Sequence, residues 1–163
     1  MKPRWLSDLH WIAALGAGTA AAIISTVAQI LLWATLTDAL PGVLWRDARL
    51  AGAIILGPVA LSPPATFDAQ IFLVATVVHF GLSIVYAMVL AAIIAARSTR
   101  SSLIVGGLFG LALYAINLYG FTAVFPWFTV ARGGITLAAH LVFGLSASAT
   151  YGWLRSRQVA AKA

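Results

Sequence analysis

Four long runs of apolar residues divide this chain, and each is long enough to cross a lipid bilayer. A transmembrane helix needs roughly 20 mostly apolar residues, because the hydrocarbon core is about 30 Å thick. The runs cover about residues 11–36, 69–96, 102–125 and 133–154. Three of them follow one another through short connections, which favour antiparallel neighbours. The pattern therefore predicts an all-α membrane protein, a single domain over 1–163 whose four transmembrane helices form an up-down-up-down bundle.

The outer-side loop at 37–68 differs from the runs on either side of it. Its central part contains four prolines and only one short apolar run, Ala51 to Leu56, which cannot cross a bilayer. Trp45, Arg46 and Arg49 stand beside apolar residues there, and this mixture is typical of a helix at the membrane interface. The sequence predicts either an interfacial helix or a partial re-entrant segment between spans one and two.

Small residues mark the faces on which these helices are expected to pack. Helices associate in lipid where small side chains let their backbones approach closely. The first span carries Gly16 and Gly18, and the third carries Gly106 and Gly110 at small-xxx-small spacing. We therefore expect the small and polar faces to point inward, with Leu, Ile and Val toward lipid. The Gly106–Gly110 motif favours close packing within the bundle, with dimerisation as the alternative.

Composition supports a membrane location and excludes several other classes. Hydrophobic residues make up 62 % of the chain and charged residues 9 %, whereas a soluble domain has about 45–50 % and about 25 %. The formal net charge is +6, yet the basic residues form no run or face that would follow a phosphate backbone, so nucleic acid is not an expected partner. The chain has no cysteine, which excludes disulfides, thiolate ligands and cysteine nucleophiles.

The distribution of basic residues predicts the orientation in the membrane. The run at 11–36 is much longer than the apolar core of a signal peptide, so we expect it to remain as the first span. With the N-terminus inside, seven basic residues lie on the inner side: Lys2, Arg4, Arg97, Arg100, Arg155, Arg157 and Lys162. Three lie on the outer side: Arg46, Arg49 and Arg132. The positive-inside rule then places both termini in the cytoplasm.

Each span also carries one strongly polar residue well inside the apolar run. These residues are Gln29, His79, Asn117 and His140. At 1.5 Å rise per residue, all four fall on the outer side of the midplane. Such groups are costly in hydrocarbon unless they have a partner, a water or a ligand. We therefore predict one polar core in the outer half of the bundle, in which Tyr86 and Tyr114 join the four residues as candidate ligand-binding side chains.

Several functions fit such a core. In one interpretation, the four residues hydrogen-bond one another and only hold the bundle together. In another, they also bind a ligand, as in a binding or accessory protein. A proton or small-solute transporter is an alternative, and four spans would need a homo-oligomer or a partner membrane protein for that role. Haem b ligation by His79 and His140 is a second alternative, in which outer-side arginines (Arg46, Arg49, Arg132) would pair the propionates.

The same residues disfavour catalysis and a bare metal site. Ser83 lies one helical turn from His79, but the spans place no acidic residue in the core to orient that histidine. A metal ion would also miss the carboxylate or thiolate ligands that it prefers. We therefore expect a protein that is not an enzyme, has no metal site and has no cofactor unless haem is bound.

Aromatic residues stand near the predicted ends of the spans. This placement is typical of an interfacial belt. The segment Phe125–Phe128 at the outer end of span three is the most aromatic of these sites. Capping of the polar core and contact with a partner are the alternative interpretations for that segment.

A set of motifs in the region of about 40–154 resembles a family of small bacterial inner-membrane proteins that are often labelled "sodium:proline symporter". The motifs are PPATFD at 63–68, VHFGLSIVY at 78–86, GLALYAINLYGF at 110–121, FPWF at 125–128 and AHLVFG at 139–144. The resemblance implies a four-span protein of the bacterial inner membrane. We take only this fold and this location from it.

Overall fold

The computed structural model describes residues 10–161, and these residues form helices joined by short connections. The α-helices are α1 (Trp11–Leu36), α2 (Gly42–Leu56), α3 (Ala69–Ile94), α4 (Thr99–Ala115) and α5 (Gly134–Ala160). This part of the chain contains no strand, so the predicted all-α class is confirmed. The predicted topology signals Lys2, Arg4 and Lys162 lie outside the described residues.

Four of the helices are long and apolar enough to cross a membrane: α1, α3, α5, and α4 together with its continuation to Ala123. A helix of the length of α1 extends for about 39 Å, which exceeds the hydrocarbon thickness. The four-span bundle predicted from the hydrophobic pattern is therefore confirmed, and the chain is a multi-pass membrane protein.

The helix that forms span three begins earlier than predicted and changes its geometry at the far end. It starts at Thr99, because the Ser98 side chain accepts a hydrogen bond from the Ser101 backbone nitrogen at 3.4 Å and caps the helix. After Ala115 the chain continues through one π-helical turn, Ile116–Gly120, and a 3₁₀ turn to Ala123. Helix α5 likewise continues past the predicted end at 154, to Ala160.

The four spans are arranged so that α5 packs along both α1 and α4, while α3 packs along α1. Helices α3 and α4 touch at few positions after the tight turn that joins them. We call the end of the bundle that holds this turn, residues 95–98, the turn end. The opposite end, which holds α2, is the α2 end. The weak contact between α3 and α4 leaves space inside the bundle toward the α2 end.

Glycines bring the backbones of α4 and α5 into direct contact. A side chain at Gly110 would overlap the His140 carbonyl oxygen, and one at Gly144 would overlap the Gly106 carbonyl oxygen. Only glycine permits this approach. The small-xxx-small motif of the third span therefore packs within the bundle, as the favoured interpretation of the sequence expected.

The first span shows the predicted division between small buried residues and large exposed ones. Seven of its eight buried residues are small: Ala13, Ala14, Ala17, Gly18, Ala21, Ala22 and Ser25. Its large aliphatic side chains, such as Ile12, Ile23 and Leu31, are exposed and face the region that lipid occupies. In a bilayer, packing these helices together removes no apolar surface from water, because the lipid is itself apolar. Close packing between the helices is therefore the main source of cohesion.

Helix α2 lies across one end of the bundle. Its Gly52 sits against Ile71 at the start of α3, and its Leu50 carbonyl accepts a hydrogen bond from Trp127 Nε1 at 3.1 Å. Arg49 donates to the carbonyl oxygens of Ala60, at 2.9 Å, and of Thr66, at 3.1 Å. These bonds hold α2 between the start of α3 and the 3₁₀ segment Pro126–Ala131.

Replacing Gly110 by alanine should destabilise the bundle, because the new methyl group overlaps the His140 carbonyl oxygen. The expected loss is about 1–3 kcal/mol, which is the usual cost of overpacking a filled interior. Thermal unfolding in detergent micelles measures it. Gly107→Ala is the matched control, because its methyl group would lie 3.5 Å from Leu141 Cδ1, an ordinary contact. Equal effects of the two changes would contradict this account of the α4–α5 interface.

Candidate functional site

A cavity of about 390 Å³ lies inside the bundle, in the half nearer α2. Its wall combines residues of α1, α3, α4 and α5 with residues of α2 and of the segment that follows α4. The volume falls within the roughly 300–1,000 Å³ of small-molecule sites in proteins. The cavity is thus large enough for a ligand, and it occupies the space that the weak α3–α4 contact leaves open.

The structure brings five of the six predicted site residues to the wall of this cavity: Gln29, His79, Tyr86, Asn117 and His140. The sixth, Tyr114, lies behind His140, with the two ring centroids 5.6 Å apart. Its hydroxyl oxygen accepts a hydrogen bond from the Gly133 backbone nitrogen at 3.2 Å. Tyr114 therefore supports the start of α5 and does not line the cavity.

Three of these side chains form a hydrogen-bonded chain that crosses from α3 through α4 to α5. The Tyr86 hydroxyl donates to Asn117 Oδ1 at 2.8 Å. Asn117 Nδ2 lies 3.4 Å from His140 Nε2. His140 Nδ1 lies 2.8 Å from the carbonyl oxygen of Thr136, one turn earlier in α5. The chain joins three spans at the depth of the cavity.

The partners of His140 determine which of its ring nitrogens carries a hydrogen. The Thr136 carbonyl only accepts hydrogen bonds, so Nδ1 must donate to it. The Asn117 amide nitrogen only donates, so Nε2 must accept from it. A ring with one donating and one accepting nitrogen is neutral. The observed arrangement therefore holds His140 as a neutral imidazole protonated at Nδ1.

His79 binds a different set of partners, on α1. Its Nε2 lies 3.1 Å from Thr26 Oγ1 and 3.4 Å from the Ala22 carbonyl oxygen. The two histidines thus line one cavity while each bonds to a different helix. A haem iron would need a free nitrogen on both rings. Both nitrogens of the His140 ring have protein partners, whereas the hydrogen bonds of His79 within residues 10–161 all involve Nε2.

The three arginines that were expected to pair haem propionates are engaged elsewhere. Arg46 forms an ion pair with Asp47 at 2.7 Å. Arg49 binds the carbonyl oxygens of Ala60 and Thr66 described above. The third, Arg132, binds the backbone of the π-helical turn. Their guanidinium groups stabilise the α2 end of the bundle through these contacts.

Asn117 belongs to the π-helical turn at Ile116–Gly120, and Arg132 holds that turn in place. Arg132 Nε donates to the Leu118 carbonyl oxygen at 2.8 Å, and its guanidinium carbon lies 4.2 Å from the centroid of the Tyr119 ring. Single π-turns in α-helices often occur at functional sites, because they leave backbone groups that need another partner. Arg132 supplies that partner and so helps to position the Asn117 amide.

One carboxylate lines the cavity, contrary to the expectation that the core would offer none. Asp47 is on α2, which folds over the cavity and brings this side chain to the wall. Burial raises the pKa of the Asp47 carboxyl above its usual value, and the charge and hydrogen bond of Arg46 partly oppose this shift. Within residues 10–161, no three His, Asp, Glu or Cys side chains gather as a metal ion would need.

Phenylalanines form much of the apolar wall. Phe125 and Phe128, from the aromatic segment after span three, both line the cavity, together with Phe121 and Phe143. Trp127 lies between the first two and bonds to α2. The structure thus supports the interpretation of this segment as a cap on the polar core. The position of the cap could not be predicted from the sequence, because it depends on where α2 packs.

The fold and the cavity define a class: a four-span, all-helical membrane protein with a ligand-sized cavity that is lined by polar side chains and phenylalanine rings. In comparisons with protein-family models, curated proteins and solved structures, none matches the chain. The family resemblance drawn from the sequence motifs therefore stays a prediction.

Replacing Arg132 by glutamine should loosen the π-turn, because the Leu118 carbonyl loses a charged donor. A loss of about 1 kcal/mol of local stability corresponds to roughly fivefold faster exchange of the amides at 116–120. Hydrogen exchange followed by mass spectrometry in nanodiscs measures this. Arg157→Gln, at an arginine that lies over the Trp153 ring at the turn end, is the control and should leave that segment unchanged. Unaltered exchange in Arg132→Gln would contradict the positioning role.

Proposed function

We propose that this chain is a bacterial inner-membrane protein whose function is to bind a small amphiphilic molecule in the cavity between its spans. The observation that carries the proposal is the cavity of about 390 Å³ on which five of the predicted polar side chains and an aromatic wall converge. Ligand sites in proteins commonly combine mostly apolar walls with a few well-placed polar groups. An amphiphile matches both parts of such a wall.

The cavity is closed toward the turn end by packed helices, which favours binding over passage through the protein. Leu113 and Phe143 line the cavity and also belong to the buried cluster that fills the turn end. That cluster contains tightly packed alanines of α1 and α5, such as Ala17 and Ala147. A transport route would have to open this cluster, whereas ligand binding from the α2 end leaves it intact.

Haem b binding receives less support than a small amphiphile from the same contacts. Both histidine Nε2 atoms have protein partners, and the three arginines that would pair propionates are bound to other groups. Binding of iron to His140 would require the loss of its bond to Asn117 or of its bond to Thr136. A ligand that adds hydrogen bonds to the existing network needs no such change.

We also propose that both termini are cytoplasmic, so that the cavity lies in the outer half of the membrane. The contact of Arg155 with the Ala95 carbonyl oxygen places the end of α5 beside the α3–α4 turn. Four arginines therefore lie at the turn end: Arg97, Arg100, Arg155 and Arg157. Three lie toward the α2 end: Arg46, Arg49 and Arg132. The positive-inside rule supports a cytoplasmic turn end.

Single cysteines test this orientation, because the chain has no cysteine of its own. Ala39 lies at the α2 end and Ala96 at the turn end, and both are exposed. A membrane-impermeant maleimide should label Ala39→Cys in intact spheroplasts and should label Ala96→Cys only after permeabilisation. The reverse result would invert the proposed orientation while leaving the binding site unchanged.

Photolabelling tests the binding function. Two bilayer-soluble probes are used, a long-chain alcohol and a long-chain carboxylic acid, each with a diazirine in the chain. At least one of them should label peptides that line the cavity, and Ala51→Phe should reduce this labelling at least about fivefold, which corresponds to about 1 kcal/mol of binding free energy. Ala51 lines the cavity on α2, so a phenyl group there occupies the ligand's space.

Ala112→Phe is the matched control, because Ala112 is exposed on α4 and is not part of the cavity wall. Its labelling should equal that of the unmodified protein, and the unfolding temperatures of both variants show whether the fold is intact. Labelling that spreads evenly over the lipid-facing surface, with no decrease in a folded Ala51→Phe, would refute the binding function.

A further inference from the structure

We infer that the cavity selects an amphiphile whose head group is uncharged, such as a hydroxyl, a carbonyl or a carboxamide. This inference rests on the proposed binding function and specifies the class of ligand. It follows from three features of the wall. The hydrogen-bonded network of Tyr86, Asn117 and His140 consists of neutral groups, the nearby charged groups are already paired, and two polar side chains remain unpaired.

The network at the centre of the wall consists of neutral groups. The Tyr86 hydroxyl donates to Asn117, the Asn117 amide donates to His140, and His140 donates to the Thr136 carbonyl oxygen. Protonation of His140 at Nε2 would require the Asn117 amide to turn over and the direction of its bond with Tyr86 to reverse. In the arrangement seen, the network offers no cation to an anionic head group.

The charged groups on the cavity wall and next to its residues are bound to one another or to the backbone. Among residues 10–161, the carboxylate that lines the cavity is Asp47. Arg46 neutralises it through an ion pair in which Nη2 lies 2.7 Å from Asp47 Oδ1. Arg132 is directed to the Leu118 carbonyl oxygen. A charged head group would have to break one of these contacts or lose its hydration without compensation, and both are costly in a membrane interior.

Polar groups suited to a neutral head remain unpaired on the wall. Gln29 and Ser83 both line the cavity, and neither side chain makes a hydrogen bond to another residue between 10 and 161. An amide and a hydroxyl can each donate and accept. A hydroxyl, carbonyl or carboxamide head group can satisfy them without carrying charge into the bundle.

Competition against the photoreactive probes tests the inference in nanodiscs. The competitors share one alkyl chain length and differ only in the head group: alcohol, primary amide, carboxylate and trimethylammonium. The alcohol and the amide should displace cavity labelling at roughly tenfold lower mole fraction than either ion. Equal or stronger displacement by an ion would overturn the inference while leaving the binding function supported. Absence of cavity labelling by both probes would instead overturn the binding function, and the inference with it.

Variants of the unpaired groups identify the side chains that carry the selectivity. Gln29→Leu combined with Ser83→Ala should weaken displacement by the alcohol and the amide about fivefold or more, while the ions change little. Thr19→Val is the control, because the Thr19 hydroxyl is exposed on α1 and bonds to its own helix at the Leu15 carbonyl oxygen. If the folded double variant keeps the full preference for neutral head groups, the assignment to Gln29 and Ser83 is wrong.

Discussion

The contact between the backbones of α4 and α5 sets the position of the rest of the structure. Gly110 lies directly against the His140 carbonyl group, so the relative height of the two helices is fixed at that point. Asn117 follows Gly110 by two helical turns, and the π-turn adjusts the direction of its side chain. The amide then reaches the His140 ring and, on its other side, Tyr86. A larger residue at Gly110 would separate the helices and would move the two ends of this hydrogen-bonded chain apart.

Two explanations of the polar core, internal hydrogen bonding and ligand binding, make different demands on individual side chains. Hydrogen bonding between helices contributes about 1 kcal/mol or less per bond in membrane proteins, and it accounts for Tyr86, Asn117 and His140, whose polar atoms have protein partners. It does not account for Gln29, which lines the cavity without a partner among the described residues. A polar group with no partner is costly in an apolar interior unless water or a ligand satisfies it. Internal hydrogen bonding thus leaves the Gln29 side chain unexplained, and this favours ligand binding.

Sequence patterns predicted the spans, the inward small faces and five of the residues on the cavity wall, because hydropathy and helical periodicity are local properties that survive folding. The same patterns could not show that Tyr114 lies behind His140. Residues that share one face of a helix need not all reach the interior of the bundle. They also missed Asp47, because its place on the wall depends on how α2 folds over the bundle. For Arg132 the sequence indicates a topology signal and, in the haem alternative, a partner of the propionates. Its bond to Leu118 depends on how the segment before α5 packs on the π-turn.

The two ends of the cavity differ in what would have to move for a ligand to enter. The turn end is closed by small residues in contact on several helices at once, and separating them would expose a large interface. The α2 end is closed by one short helix, which is held by the Arg49 bonds to loop carbonyls and by the Trp127 bond to Leu50. A few hydrogen bonds near the membrane surface can be replaced by water, whereas interior helix contacts cannot. Entry at the α2 end, or through the adjoining gap between α3 and α4, therefore disturbs the structure least. A molecule that enters there comes from the interface or from the lipid, where amphiphiles with neutral head groups are concentrated.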